Sequence, residues 1–195
     1  MSSIRNTGSP ENSYLDAALE CILDVGVKRT TITDIARRAG VARMTIYRKW
    51  PDMLTLLGDL MVREWLAEAA ELRPDEAAAP VDAESLAQNV VDVCRSMRNN
   101  AFFCKIVDVD PEFLIPYIFY RRGRTQDALL SMIRGFLQVG QKSGTVRAGD
   151  PAVMARSILL TALGFALSMR TMTDEVKPAE LDAELSLQLQ RYLAP

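Results

Sequence analysis

The feature that most constrains this chain is the stretch 28–50, in which two short helical patterns are joined by a glycine. Thr31 is a good N-cap for the first pattern, and Asp34 follows three residues later, as a capping box requires. Gly40 stands where that helix must end, because glycine tolerates the left-handed conformation found there. The second helical pattern covers residues 42–50. Two helices joined in this way predict a helix-turn-helix.

The same stretch concentrates positive charge in an acidic chain. Between Lys28 and Lys49 seven residues are basic and one is acidic, a local charge of +6, whereas the whole chain carries −2. The second helix of a helix-turn-helix enters the major groove of DNA, and basic side chains neutralise its phosphates. A solvated helical face would explain a charge run alone, but the capping box and the glycine favour a DNA-binding module.

The chain from Tyr14 to Leu57 resembles the N-terminal DNA-binding domain of the TetR family of transcriptional regulators. The resemblance rests on AAL in the first helix, on TTITDIARRAGV, on TIY in the second helix of the motif and on the Trp-Pro pair after it. It implies an all-α fold, with an N-terminal three-helix helix-turn-helix domain followed by an α-helical ligand-binding and dimerisation domain. It also implies a cytoplasmic homodimer that represses transcription at a palindromic operator and is released by a small apolar effector.

The resemblance divides the chain into three predicted regions. Residues 1–9 are predicted to be a disordered N-terminus, 10–51 the DNA-binding domain and 52–195 the regulatory domain. Within the last region, a helix over 126–139 is expected to be followed by turns at Gly140 and Gly144.

The resemblance also assigns residues to DNA. Arg43 matches the main base-reading position, where arginine can bond guanine bidentately, and Met44 can touch a thymine methyl. Ala42 replaces the serine usual in the family, so that the side-chain cap of the recognition helix is lost or is taken over by another group. For each contact residue, a merely solvent-exposed side chain is the alternative. The predicted DNA-binding residues are Thr31, Thr33, Arg43, Met44, Thr45, Tyr47 and Lys49.

The stretch 102–120 holds six of the thirteen aromatic residues. Its aromatic side chains line either an effector pocket or an ordinary core, and the family's effector sites favour the pocket. Three acids, Asp108, Asp110 and Glu112, surround Pro111; a helix end explains them more simply than a metal site or a carboxylate pair. The predicted ligand-binding residues are Phe102, Phe103, Phe113, Tyr117 and Tyr120.

Two C-terminal helical patterns, 151–172 and 178–193, predict the dimer contact. The first is apolar nearly all round and must be buried on every side, while small residues along one face permit close approach of a second helix. The second carries a leucine stripe, with Asp182 placed to one side of it. By resemblance both pair with their symmetry mates in a four-helix bundle. The predicted dimerisation residues are Ser157, Thr161, Gly164, Ser168, Leu181, Leu185 and Leu189.

Composition narrows the function further. The chain has no histidine, which removes histidine-based catalysis and metal ligation, and neither a nucleophile motif nor a cofactor motif is found. Cys21, Cys94 and Cys104 are expected to be free thiols, although a redox pair of Cys94 and Cys104 stays open. The longest uncharged apolar run, 157–169, has 13 residues and is short for a membrane span. An α-helical enzyme or ligand carrier with an incidental helix-turn-helix, and a constitutive DNA binder without effector, remain as alternatives.

Overall fold

The structure is a computed structural model in which residues 9–71 and 81–195 are described. Within these residues the chain forms helices and no strand, so the all-α prediction is confirmed. Of the predicted disordered N-terminus, residues 1–8 lie outside the described part. The α-helices are α1 Pro10–Val25, α2 Ile32–Arg38, α3 Arg43–Lys49, α4 Met53–Glu71, α5 Ala83–Asn99, α6 Ala101–Val109, α7 Ile115–Phe119, α8 Arg124–Ser143, α9 Pro151–Ser168 and α10 Pro178–Leu193.

The contacts divide the chain into two compact units. The first contains the residues up to Glu64 together with Asn100–Gly123, and the second contains Trp65–Asn99 and Arg124–Pro195. Helices α6 and α7, which the sequence assigns to the regulatory domain, therefore belong to the same unit as the helix-turn-helix, and α6 packs against α1. The functional division at residue 52 stays a prediction.

The first unit is built on α1. Ser9 caps this helix by accepting from the backbone N–H of Asn12 at 3.3 Å, and Pro10 occupies the first turn. The buried side of α1 includes Leu19 and Ile22, at 2% and 0% exposure. Helices α2 and α6 both pack against α1, so this apolar stripe organises the whole unit.

The second unit has its own core, formed by α5, α8, α9 and α10. Helix α9 packs on both α5 and α8, and α10 packs on α5. The segment Pro151–Met172 is also long and apolar enough to cross a membrane by length and composition alone, which differs from the expectation drawn from the shorter uncharged run. Its side chains Met154, Ile158 and Leu159 lie in the core of the unit, so packing explains the apolar character of that side of α9.

Two expectations for α10 are wrong. Leu185 and Leu189 are 0% and 3% exposed and belong to the core of their own chain, so they are not available to a symmetry mate. Asp182 does not lie to one side but is 4% exposed on the inward face, where Arg98 and Arg95 of α5 donate to its carboxylate. A leucine stripe marks a buried face, but it does not tell whether the covering helix belongs to the same chain.

The expected turn at Gly140 is also wrong. Helix α8 continues to Ser143, and the chain reverses at Gly144, whose φ is +74°. Gly140 is a buried helical residue against which Val146 packs so closely that a Cβ would not fit. Glycine serves here for close approach within a helix, a role that looks the same in a sequence as a turn.

Candidate nucleic-acid interface

The N-terminus of α2 is fixed by the predicted capping box. The hydroxyl oxygen of Thr31 accepts from the backbone N–H of Asp34 at 3.1 Å, and the Asp34 carboxylate accepts from the backbone N–H of Thr31 at 3.2 Å. The Thr31 hydroxyl also donates to that carboxylate, which lowers the pKa of Asp34 from its ordinary value. Two backbone donors are thereby satisfied at the start of the motif.

The elbow between α2 and α3 is made by Gly40, whose φ is +69°. The N–H of Val41 donates to the carbonyl of Ala36 at 3.0 Å, which closes the end of α2. Helix α3 then begins without a side-chain cap, as the alanine at position 42 predicts. Because the residue at the start of α3 has no capping side chain, tertiary packing must hold the helix.

Two buried residues supply that packing. Ile46 is 0% exposed and Trp50 is 1% exposed, so one side of α3 is anchored in the unit. The indole N–H of Trp50 donates to Asp59 at 2.6 Å, and its ring meets Tyr14 edge-on at 6.5 Å between centroids. The opposite side of α3 is thereby presented to solvent in a fixed orientation.

The predicted DNA-binding residues lie on this solvent-facing side and at the start of α2. Arg43, Met44 and Lys49 are exposed on α3, with Met44 70% exposed. Thr31 and Thr33 are exposed, while Thr45 and Tyr47 are half-buried. The Arg43 guanidinium lies 5.2 Å from the centre of the Tyr47 ring, a cation–π contact that orients both side chains.

Acidic residues partly balance the basic patch, a feature that local charge counting missed. Arg38 pairs with Asp24 at 2.7 Å, and Lys49 pairs with Glu11 at 2.7 Å. Arg37 pairs with Asp34, and Lys28 pairs with Glu112. Within the described residues Arg43 and Arg48 form no ion pair. Arg29, exposed in the turn between α1 and α2, is likewise outside these ion pairs and donates to the carbonyl of Val25 at 2.8 Å. The positive charge left for a phosphate or base therefore lies on α3 and in that turn.

The predicted ligand-binding aromatics do not share one environment. Phe102 and Phe103 of α6 are 3% and 5% exposed, Phe113 and Tyr117 are half-buried, and Tyr120 is 82% exposed. Tyr117 packs on Gly123, and the Arg121 guanidinium lies 5.1 Å from its ring centre. Their role in effector binding stays a prediction.

The predicted dimer face on α9 is open at two positions. Gly164 and Ser168 are exposed, and Ser157 and Thr161 are half-buried, with the Thr161 hydroxyl donating to the carbonyl of Ser157 at 3.0 Å. Leu160, which lies between them, is 72% exposed. An apolar residue exposed beside small residues is typical of a surface that another helix covers.

Burial keeps two of the thiols protonated. It raises the pKa of Cys94 to about 12 and also raises the pKa of Cys21. All three cysteines are free. Because the thiolate is the reactive form, neither buried cysteine has the environment of a redox sensor.

The acids around Pro111 are a helix end, and one of them has a further contact that the sequence did not indicate. Among the described residues no group of acidic, cysteine or histidine side chains is arranged to hold a metal. Asp110 follows α6 and is 2% exposed, and its carboxylate accepts from the backbone N–H of Val27 at 2.6 Å. The two residues are 83 positions apart, so no local signal could have paired them.

A capped helix-turn-helix whose second helix presents cationic side chains defines a DNA-binding transcriptional regulator. A family model described as bacterial regulatory proteins, tetR family, matches residues 15–60. An HTH-type transcriptional regulator of Mycobacterium bovis is 34% identical over 179 residues, covering 92% of each chain. The chain belongs to the TetR family of transcriptional regulators.

Solved structures agree on the fold. The transcriptional repressor QsdR of Rhodococcus erythropolis, from the TetR family, is 18% identical with a TM-score of 0.69, covering 97% of this chain and 98% of its own. The regulator FadR of Bacillus subtilis, solved in complex with stearoyl-CoA, is 18% identical with a TM-score of 0.65, covering 93% and 98%. Both matches cover the two units described above.

Proposed function

We propose that this TetR-family regulator is a cytoplasmic homodimeric repressor that binds a palindromic operator through α3 and is released by a small apolar effector. The observation that carries the proposal is the exposed cationic side of a helix whose other side is fixed by Ile46 and Trp50. A rigid helix with a charged outer face suits the major groove, because base recognition requires fixed side-chain positions.

Arg43 is proposed as the base reader and Lys49 as a phosphate contact. Arg43 is exposed and is oriented by the Tyr47 ring, so its guanidinium can reach a guanine edge. Lys49 already holds an ion pair with Glu11, which a phosphate would replace. Such an exposed ion pair contributes little to stability, on the order of 0–1 kcal/mol, so Lys49 can exchange Glu11 for a phosphate at small cost.

Selection of bound sequences from random DNA tests the proposal, and a palindromic consensus is the expected result. Arg43→Ala should lose about 1–3 kcal/mol of discrimination at one position of each half-site. Lys49→Ala should weaken binding to all sequences alike and reduce the salt slope by about 1. Arg37→Ala, which changes an exposed arginine on α2, is the matched charge control. A consensus left unchanged by Arg43→Ala would remove the base-reading role.

The effector is proposed to be apolar, with Phe113 and Tyr117 among its contacts. FadR of Bacillus subtilis was solved with an acyl thioester, which supports an effector with a long apolar part. A thermal-shift screen with fatty acids and acyl-CoA esters, repeated with operator present, tests this. An effector must stabilise the free protein and weaken operator binding, because the two sites are coupled reciprocally. A compound that stabilises the protein without changing operator affinity is not the effector.

The dimer is proposed to form through the small-residue face of α9, with the half-buried Leu181 and the exposed Leu187 of α10 as apolar contacts. In Gly164→Arg a charged side chain would stand at the centre of that face. We expect the wild type to be a dimer by light scattering after gel filtration, and Gly164→Arg to be a monomer with much weaker operator binding. Arg156→Ala, at an exposed position on the same helix, is the matched control. A Gly164→Arg protein that stays dimeric would place the interface elsewhere.

A further inference from the structure

The turn between α1 and α2 is held by a carboxylate from a distant part of the chain. Oδ2 of Asp110 accepts from the backbone N–H of Val27 at 2.6 Å and from that of Lys28 at 3.4 Å. Both donors follow Gly26, the C-cap of α1, and so lie outside the backbone hydrogen bonds of that helix. Asp110 is 2% exposed, so this carboxylate is buried against the turn.

The turn is shaped to receive that carboxylate. Gly26 has a φ of +88°, and a Cβ at this position would lie 2.6 Å from Oδ2 of Asp110 and 3.0 Å from Cγ1 of Val109. Only glycine combines this backbone conformation with room for the carboxylate. The absence of a side chain at residue 26 is therefore a requirement of the contact and not only of the turn.

The opposite side of the turn is fixed as well. The hydroxyl of Thr30 donates to the carbonyl of Gly26 at 2.7 Å, and the N–H of Thr30 donates to the carbonyl of Val27 at 3.2 Å. Thr31, the next residue, is the N-cap of α2. A short turn held by these hydrogen bonds thus links Asp110 to the N-cap of α2, the first helix of the helix-turn-helix.

A buried carboxylate is a strong constraint. Burying an ionised group is costly unless it is hydrogen-bonded, and hydrogen bonds to a charged acceptor are about twice as strong as neutral ones. If Asp110 left the turn, the backbone N–H groups of Val27 and Lys28 would lose their acceptor, and a buried donor without a partner is costly. Glu112, two residues further on, forms an additional ion pair with Lys28, but that pair is exposed and weaker.

We propose that Asp110 is a positioning residue for operator binding: it fixes the α1–α2 turn and thereby the orientation of the helix-turn-helix. This rests on the proposed DNA-binding function of α3. Asp110 is buried and its side chain cannot reach a base, so its loss should weaken operator affinity without changing the sequence preference.

The test measures operator affinity by fluorescence anisotropy, on the selected consensus and at a temperature where each variant is folded by circular dichroism. Asp110→Ala removes both hydrogen bonds and is expected to bind about tenfold more weakly or worse. Asp110→Asn keeps one acceptor oxygen without the charge and should lie between Asp110→Ala and wild type. Glu112→Gln, the matched control, should bind as wild type does.

Amide hydrogen exchange gives the local readout. The N–H groups of Val27 and Lys28 should exchange faster in Asp110→Ala, while amides of the second unit should be unchanged. A double-mutant cycle with Gly26→Ala separates the contact from backbone strain. The strain that alanine causes at φ +88° is the same with or without Asp110, whereas the clash with the carboxylate is not. Gly26→Ala should therefore reduce operator affinity less in the Asp110→Ala background than in the wild type.

Several results would overturn the inference. One is wild-type operator affinity in Asp110→Ala despite faster exchange at Val27. A second is an equal loss of operator affinity in Glu112→Gln, since that would point to surface charge. A third is that the losses of operator affinity from Asp110→Ala and Gly26→Ala simply add in the double mutant. If Asp110→Ala does not fold, wild-type operator affinity in Asp110→Asn would overturn the inference instead. A wild-type protein that selects no DNA sequence would instead refute the proposed function, and the inference with it.

Discussion

Removal of the Asp182 carboxylate should destabilise the second unit strongly. Arg98 donates to it at 2.6 Å, and Nε of Arg95 donates at 3.2 Å, so that one carboxylate of α10 binds two guanidinium groups of α5. The side chain of Asp182 is 5% exposed and that of Arg98 is 13% exposed. Asp182→Ala would therefore remove the carboxylate that two guanidinium groups bind, one of them largely buried.

The size of the loss in unfolding free energy depends on how buried each partner of Asp182 is. Breaking a buried ion pair by removing one partner costs about 3–5 kcal/mol. The Arg95 side chain is 48% exposed and can be solvated, so the effect rests on Arg98 and the lower end of that range applies. We expect Asp182→Ala to lower the free energy of unfolding by about 3 kcal/mol. For a protein of this length, such a loss corresponds to a fall in Tm of about 6–12 °C.

Urea unfolding followed by circular dichroism measures this change, with Tm as a second observable. Glu184→Ala is the matched control, because it removes an exposed acid from the same helix and should change stability by less than about 0.5 kcal/mol. In a protein that already carries Arg98→Met, adding Asp182→Leu should change the free energy of unfolding only a little, because an apolar pair can replace a buried ion pair. A loss below about 1 kcal/mol in Asp182→Ala would refute the reasoning, since the value would be that of a surface pair.

Two further predictions concern helix ends and close packing in the second unit. Asp82→Ala should lower the free energy of unfolding by about 1 kcal/mol at pH 7, because the Asp82 carboxylate caps α5 by accepting from the N–H of Ser85 at 2.8 Å. That bond lowers the pKa of Asp82 below its ordinary 3.8, so the cost measured by urea unfolding should persist above this pH and fade as pH falls further. Gly140→Ala should cost about 1–3 kcal/mol by the same assay, because the new methyl meets Val146. Gly135→Ala in the same helix has open space at its Cβ and should instead stabilise by about 0.5–1 kcal/mol.

The helix-turn-helix could be predicted from the sequence because its determinants are local. The capping box, Gly40 and the α3 pattern act within a few residues, and the structure has the predicted hydrogen bonds and backbone conformation. The same holds for α1 and α10, whose observed bounds match the expected ones. In each of these elements a cap or first-turn proline coincides with the start of an apolar stripe, so local signals agree with one another.

Residues whose role depends on a distant partner were not predictable in this way. Leu185 belongs to a stripe that is buried, but its covering helix could as well have come from a second chain. Asp182 is predicted to lie to one side of the leucine stripe because the sequence pattern does not reveal its partner, which lies 84 residues away on α5. For Gly140, only the packing of Val146 distinguishes a helical contact point from a turn.

The α1–α2 turn shows what a sequence can nevertheless require. A helix that ends at Gly26 and a second that begins after Thr31 leave backbone donors between them, and buried donors must find an acceptor. The sequence thus implies that a partner for Val27 exists, but the partner is chosen by the fold, which brings Asp110 to the turn at 2.6 Å. The segment that carries Asp110, Asn100–Gly123, continues at both ends into helices of the second unit, α5 and α8. Asp110 and the turn belong to the same unit, so a change at this buried carboxylate can act on the helix-turn-helix with no contact to the DNA-reading residues themselves.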